Sequence, residues 1–582
     1  MRYLLFVPFW CFSLFAISAY GQRENPNIIL IITDDQGYGD FGFTGNTLVK
    51  TPTLDALVAR SIEFTNYYVS PVCAPTRASL MTGRYSLRTG IRDTYNGGAI
   101  MAGSELTLAE LLKQRNYKTG IFGKWHLGDS YPSRPMDQGF DESLIHLSGG
   151  MGQVGDFTTY FQGDRSYFDP VLWHNGKQEK YTGYCSDIFA EQAIDFISST
   201  EDQPFFLYLS FNAPHTPLQV PESYYEKYRN IDPSDVLTAV NTHNILMSDK
   251  DKEDARRVYA MVTNIDDNLK KLFYQLEEKG IADDTMVIFM TDNGPQQARF
   301  VGDMRGRKGS VYRGGVRVPL LVHYPKAFGQ SRKIDETAAH LDILPTIADL
   351  LDLPLPMDRK IDGESLIPLL KAEKGKLEPR SLFFYWDRKY PTLYQNMAIQ
   401  KGDFRLVAHA DFDANLEDFE FFNFRKDQSE KDNITSENLG LVEGLKAEMD
   451  EIYTELIQSE NIMNQAFIHV GTAFENPVYL NRNDAGGDRG IWAQEEIFGK
   501  WYVKTEKAKY NLRFKFIKAV PAKGKLILEL GSVVYQQSQL EATDWIEMKN
   551  VEIPAFEGDL IPFYQAEGKR IFPFWVEVER MN

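Results

Sequence analysis

The chain is poor in cysteine, in long apolar runs and in basic charge, and each shortage excludes something. Only 3 cysteines occur in 582 residues: Cys11, Cys73 and Cys185. Cys11 lies in an N-terminal apolar stretch, so a disulfide framework is excluded and at most one bridge, Cys73–Cys185, can form. A protein of this length must then draw its stability from packed cores, and two or three domains are expected. Lys and Arg number 63 against 81 Asp and Glu, a formal net charge of −18. That balance argues against nucleic acid or an anionic membrane as the main partner. An anionic substrate would need a local group of cations or a metal to override this field.

Beyond the N-terminus nothing is apolar enough to span a bilayer. At the N-terminus, Arg2 precedes an apolar run from Tyr3 to Ala19, and Ala19-Tyr20-Gly21 has the small-x-small form of a cleavage site. Residues 1–21 therefore read as an export signal. Pro8 and the short run weigh against a membrane anchor, and no cysteine follows it to carry a lipid. With a single sequon, Asn433-Ile434-Thr435, and so few cysteines, the expected location is the bacterial periplasm or the medium.

What is present is a regular alternation. From Asn27 to about Leu370, short β-branched runs alternate with helical patterns, which predicts an α/β fold on a mainly parallel sheet flanked by helices. Buried strands are expected at Ile28–Thr33, Thr119–Phe122, Phe205–Phe211, Met286–Thr291 and Leu320–His323. Helices are expected at Leu108–Gln114, Asp187–Ser198, Lys252–Lys279 and His340–Leu351. Arg359–Pro379, rich in charge, Pro and Gly, reads as a linker. A smaller α+β subdomain follows over 376–462, with strands near Ser381–Trp386 and Met397–Ala408 and a helix near Val442–Ile457. From 463 to 582 the texture is all-β, which predicts an appended sandwich module after a catalytic domain at 22–375.

In open α/β sheets, ligands bind beyond the carboxyl ends of the strands. Here those ends carry Asp34-Asp35, Asp292-Asn293, Gly123-Lys124-Trp125-His126 and Asn212-Ala213-Pro214-His215. Each alone reads as a turn or a solvated charge. Together they bring about four hard oxygen ligands, a lysine and two histidines to one edge, a set that suits Ca²⁺ or Mg²⁺ better than zinc. The stretch from Cys73 to Arg84 (CAPTRASLMTGR) reads as a helix with Pro75 in its first turn and Gly83 at its end. Cys73 then sits at a helix N-terminus, where free N–H groups favour an anion.

Cys-x-Pro-x-Arg followed by a small-residue helix ending in Thr-Gly-Arg resembles the signature of the formylglycine sulfatases, a type I, alkaline-phosphatase-like family. The likeness runs over roughly residues 26–435 and includes Asn27–Gly37, Gly123–His126, Ala213–His215, Thr291–Gly294, Arg305–Pro319 around Lys308, Leu341–Thr346 and Asp362–Leu366. Arg313 departs from it, standing where the family commonly has Glu; a rim or loop effect is expected there. The resemblance implies that a separate maturation enzyme oxidises Cys73 to formylglycine (3-oxoalanine). Its hydrate attacks sulfur with one hydroxyl, and the other drives collapse of the sulfated enzyme. It further implies one Ca²⁺ held by Asp34, Asp35, Asp292, Asn293 and residue 73. Arg77 and His126 would orient the diol, with His126 the base for the collapse. Lys124 and Lys308 would pair with sulfate oxygens, and His215 would protonate the leaving alcohol.

A β-module on an exported bacterial sulfatase points to sulfated glycans as substrate. Specificity contacts are expected in Ser148–Gln153 and Phe168–Tyr184, including His174 and Asn175. Of the module's four tryptophans, Trp492, Trp501, Trp545 and Trp575, sheet core is the first reading, with one or two available to stack on sugars. The rival readings are an arylsulfatase, a phosphonate or phosphate monoester hydrolase of the same superfamily, and a non-catalytic glycan-binding protein.

Overall fold

A computed structural model describes residues 25–237, 246–373 and 377–581. The segment 1–21, expected to direct export, lies outside the described residues. Ten strands form one sheet: β1 (Asn27–Thr33), β2 (Ile62–Tyr68), β3 (Lys118–Lys124), β4 (Glu142–His146), β5 (Val171–His174), β6 (Lys177–Lys180), β7 (Phe205–Ser210), β8 (Thr285–Thr291), β9 (Arg317–His323) and β10 (Arg332–Ala339). Their order is β10-β2-β9-β8-β1-β7-β3-β4-β5-β6.

The run β8-β1-β7-β3-β4 is parallel, as the buried apolar strands predicted. The sheet as a whole is mixed. β9 lies antiparallel between β8 and β2. β1, β7 and β8 are buried along their whole length, so alternation cannot show in them. Ile28, Leu30 and Ile32 enter one core and Ile29 and Ile31 the other, as strand period 2 requires. Helix α1 (Cys73–Thr82) and α4 (Ile343–Leu350) cover the first face. Helices α2 (Cys185–Ser199) and α3 (Asp249–Glu278) cover the second. Both described cysteines are buried and free, so the Cys73–Cys185 bridge does not form.

The expected strand over Met397–Ala408 is a hairpin, Met397–Lys401 and Phe404–Ala408, within a four-stranded antiparallel sheet covered by α5 (Leu439–Ile457). Arg359–Pro379 is not a free linker. Leu366, Ile367, Leu369 and Leu370 pack into the main core, and Asp362 accepts from Arg88 Nε at 2.8 Å. The four apolar side chains fix it there. Arg313 is not on a rim either: it is 1% exposed, donates from its main-chain N–H to Glu430 at 2.8 Å and stacks over Phe424. Buried Glu430 supplies the compensating charge.

From Ile468 the chain is all β. Val478–Asn481, Trp575–Arg580, Ala508–Val520 and Thr543–Ile553 form one antiparallel sheet. Gly499–Thr505, Phe556–Ala566 and Gly524–Leu530 form the middle of the other. Trp501 and Leu528 from one and Phe514 and Val576 from the other share a core, which is a sandwich.

Candidate active site

Because β3, β7, β1 and β8 are parallel neighbours, the residues that follow them leave the sheet at one edge. Thr33 pairs with Thr291 in register, so Asp34 and Asp292 emerge side by side. Two residues at this edge turn sharply: Asp35 and His126 both have φ of 62°, a left-handed conformation that costs a non-glycine residue energy and clusters at functional sites. Gly123, just before Lys124, has φ of 119°, and a Cβ there would lie 1.8 Å from the Ser210 carbonyl oxygen. Only glycine lets β3 approach β7 so closely.

Asp34, Asp35, Asp292 and Asn293 are all buried. Asp35 N–H donates to Asp292 Oδ1 at 3.0 Å, and Asn293 Nδ2 to Asp35 Oδ1 at 2.9 Å. Ligand atoms of Asp34, Cys73 and Asp292 lie within 4.8 Å of one another, as do those of Asp34, Asp35 and His215. Asp34 Oδ1, Asp35 Oδ2 and Asn293 Oδ1 are buried and accept no hydrogen bond. Three orphaned hard oxygens in one acidic cluster are costly unless a cation is coordinated, so the residues fit Ca²⁺. Lys124 is hydrogen-bonded to Asp34, and Lys308 Nζ lies 2.6 Å from Asp35 Oδ1. Burial opposes ionisation of both carboxyls, yet Lys124 holds Asp34 and Lys308 holds Asp35 below the usual carboxylate range. Asp292 goes the other way, to about 7, through burial and the charge of Asp34.

Helix α1 begins at Cys73 and ends at Gly83, whose φ of 68° makes the left-handed cap. Val72 offers no side-chain cap, which leaves the first-turn N–H groups facing the site without a side-chain acceptor. Burial raises the Cys73 thiol pKa against the pull of Lys124 and Lys308, and a thiol kept protonated is a poor nucleophile. Its Sγ lies 3.4 Å from His126 Nδ1. His126 Nε2 lies 2.7 Å from the Thr94 carbonyl oxygen. A carbonyl only accepts, so Nε2 carries the hydrogen and Nδ1 presents a lone pair to residue 73. Burial, then Lys124, keeps this imidazole neutral well below its usual pKa. Arg77 is fully buried, donating to Asp292 Oδ2 at 2.9 Å, the Lys124 carbonyl at 3.1 Å and Ser210 Oγ at 2.5 Å.

His215 Nδ1 is bound to the Thr216 carbonyl at 2.7 Å, leaving Nε2 3.6 Å from Asp35 Oδ2. Burial and then Lys308 lower its pKa to about 4. Lys308 itself is raised by Asp35 against burial.

Every catalytic and metal-binding residue predicted from the sequence thus converges on one edge. The specificity segments divide. Gly149 and Gln153 line the cavity over Cys73, whereas His174 and Asn175 do not. His174 contacts Glu179 and Tyr181 on the outer strands, and Asn175 accepts from Ser143 N–H. These two belong to a sheet-edge hairpin whose exposed β6 carries only polar residues. Sequence reasoning missed Arg299, which is buried, chelates Asp40 and donates to the Asp35 carbonyl at 2.7 Å. It also missed Thr94, which orients His126, and Trp386, Arg388 and Gln296 of the cavity lining.

A helix-flanked mixed sheet with these groups on its carboxyl edge defines an alkaline-phosphatase-like hydrolase. The Sulfatase family profile matches residues 26–353, and that of the N-sulphoglucosamine sulphohydrolase C-terminal region matches 307–457. The chain belongs to the sulfatase family. Human arylsulfatase A is 32% identical over 413 residues, 65% of this chain and 74% of its own length. Human N-acetylgalactosamine-6-sulfatase is 30% identical over 396 residues, 63% of this chain and 70% of its own. The crystal structure of Ps i-CgsB in complex with k-i-k-neocarrahexaose superposes with a TM-score of 0.64 at 30% identity, over 75% of this chain and 94% of that one.

Proposed function

We propose that this sulfatase releases sulfate from sulfated carbohydrates outside the cytoplasm, after conversion of Cys73 to formylglycine and with one bound Ca²⁺. The observation that carries the reading is the Cys73–His126 contact at the uncapped N-terminus of α1, beside three orphaned carboxylate and amide oxygens. The sugar class draws on Ps i-CgsB, whose complex holds an oligosaccharide. Export rests on residues 1–21, and no helix of the described residues is long and apolar enough to cross a membrane. Residues 22–375 would form the catalytic domain, 376–462 its α+β partner and 463–582 the accessory module.

Asp34, Asp35, Asp292 and Asn293 would hold the Ca²⁺ together with residue 73, and the ion would supply positive charge to a sulfate oxygen and to the attacking hydroxyl. Formylglycine made by a maturation enzyme would supply a hydrated aldehyde at residue 73, with one hydroxyl to attack sulfur and one to release it. The chain's own groups do the rest. Arg77, locked by Asp292 and Ser210, fixes the charge beneath the helix start. His126 Nδ1, unprotonated and aimed at residue 73, accepts the proton that release requires. Lys124 and Lys308 bring the cations that a chain of this net charge must concentrate locally. His215 Nε2 is the one ring nitrogen free to hand a proton to the departing alcohol. Its lowered pKa means that the substrate's negative charge must raise it for that step.

Sulfate release from defined sulfated mono- and oligosaccharides by the matured enzyme, run beside the matching phosphate esters and an aryl sulfate, tests the proposal. Sugar sulfates should be preferred, and Cys73→Ala should be inactive. Faster phosphate turnover would transfer the chain to the monoester hydrolases. Binding of sulfated glycan with no turnover of any ester would make it a lectin.

A further inference from the structure

The catalytic edge explains only part of the cavity it faces. That cavity has a volume of about 420 Å³ and is lined by Cys73, His126, His215 and Lys308, but also by Tyr95, Trp386, Trp492 and Arg388. Sulfate-ester chemistry has no use for three aromatic rings. They come from three parts of the chain: a loop after α1, the end of the first strand of the four-stranded sheet, and the all-β C-terminal segment, beyond the last residue matched by either family profile.

The rings are held rigidly. Tyr95 and Trp492 lie 5.6 Å apart with planes at 71°, so they present two nearly perpendicular apolar surfaces. Trp492 is pressed on Gly155, where an added Cβ would lie 2.0 Å from the indole. The Arg388 guanidinium sits 4.9 Å from the Tyr95 ring and 4.7 Å from the Trp386 ring, and is tied to Asp93 at 2.9 Å. Gly487 of the C-terminal segment donates its N–H to Asn96 Oδ1 at 2.8 Å, bracing the same loop. Trp386 packs on Gly309, next to Lys308, and its Nε1–H is buried with no acceptor. Apolar ring faces beside the Arg388 guanidinium match a pyranose, which pairs a C–H face with hydroxyl acceptors.

We propose that Tyr95, Trp386 and Trp492 form the subsite that holds the ring of the sulfated sugar, so that the C-terminal β module, through Trp492, is a wall of the active site and selects its substrate. This rests on the carbohydrate-sulfatase reading above. The test uses the full matured chain and its Trp492→Ala and Trp492→Phe variants. Sulfate release is measured on methyl glycosides of sulfated galactose, N-acetylgalactosamine and N-acetylglucosamine, together with inhibition by inorganic sulfate, which occupies the catalytic edge alone. For the preferred sugar, Trp492→Ala should lower kcat/KM about tenfold, mostly through KM, and Trp492→Phe should recover most of the loss. Inhibition by sulfate should stay within about twofold of the parent. Unchanged sugar turnover in Trp492→Ala overturns the subsite alone, and so does a parallel loss of sulfate inhibition, which marks a merely structural role. A parent that releases sulfate from none of the sugars overturns the underlying reading and the subsite with it.

Discussion

His126 presents its Nδ1 to Cys73 Sγ at 3.4 Å, with its other nitrogen committed to the Thr94 carbonyl. This pairing settles the tautomer without a charged partner, and burial, followed by the charge of Lys124, keeps the ring neutral. In the proposed mechanism a base so placed would serve release of sulfate from residue 73 rather than substrate binding. His126→Ala should therefore lower kcat by about 10²–10⁴ with a much smaller change in KM. Steady-state kinetics on any accepted sulfate ester checks this; a KM effect alone would remove the base role.

The orphaned oxygens of Asp34, Asp35 and Asn293 predict a strong dependence on a hard divalent ion. Treatment with a Ca²⁺-selective chelator should abolish turnover and lower Tm, and Ca²⁺ should restore both. At about a hundred times its Kd, a bound ion would stabilise the fold by about 2.7 kcal/mol. Identical melting curves with and without chelator would show that the cluster holds no ion.

Much of this site is legible in the order of residues alone. Buried parallel strands read as apolar runs, so the charged residues at or just after their ends, Asp34, Lys124 and Asp292, can only emerge at the carboxyl edge. Helix α1 announces itself locally through Pro75 and Gly83. Other contacts join residues far apart in sequence and leave no local periodicity. Arg299 reaches Asp40 across 259 positions, and Trp492 meets Tyr95 only because two loops converge. Leu366–Leu370 is hidden for another reason: a short apolar quartet within a Pro- and charge-rich stretch is too brief to register as an element.

Arg313 and Arg405 share one carboxylate. Glu430 Oε2 accepts from the Arg313 main chain at 2.8 Å, and its Oε1 lies 3.4 Å from Arg405 Nε, all three side chains being fully or almost fully buried. Glu430→Leu would leave the buried Arg405 guanidinium without its carboxylate and the Arg313 N–H without an acceptor. It should cost about 3–5 kcal/mol of stability, read by denaturant unfolding. A loss within about 0.5 kcal/mol would mean that main-chain carbonyls such as Gln428's satisfy the arginines unaided.

Asp129 and Asp484 meet where the C-terminal module joins the large sheet. Asp129 N–H donates to Asp484 Oδ2 at 3.1 Å, and Asn481 Nδ2 donates to Asp129 Oδ2 at 2.9 Å. Burial pushes Asp484 up to about 6, and burial followed by the charge of Asp484 pushes Asp129 well above the carboxylate range. A carboxyl raised in the folded state holds its proton more tightly folded than unfolded. Its contribution is therefore fully present below about pH 4 and is lost as pH rises through about 6, a change of up to about 3 kcal/mol. Asp484→Asn keeps an oxygen for the Asp129 N–H and never ionises. Measured by urea unfolding from about pH 4 to about pH 7.5, the parent should lose stability relative to Asp484→Asn as pH rises. If the stability of the parent relative to Asp484→Asn does not fall as pH rises, the joint is held by ordinary ionised carboxylates.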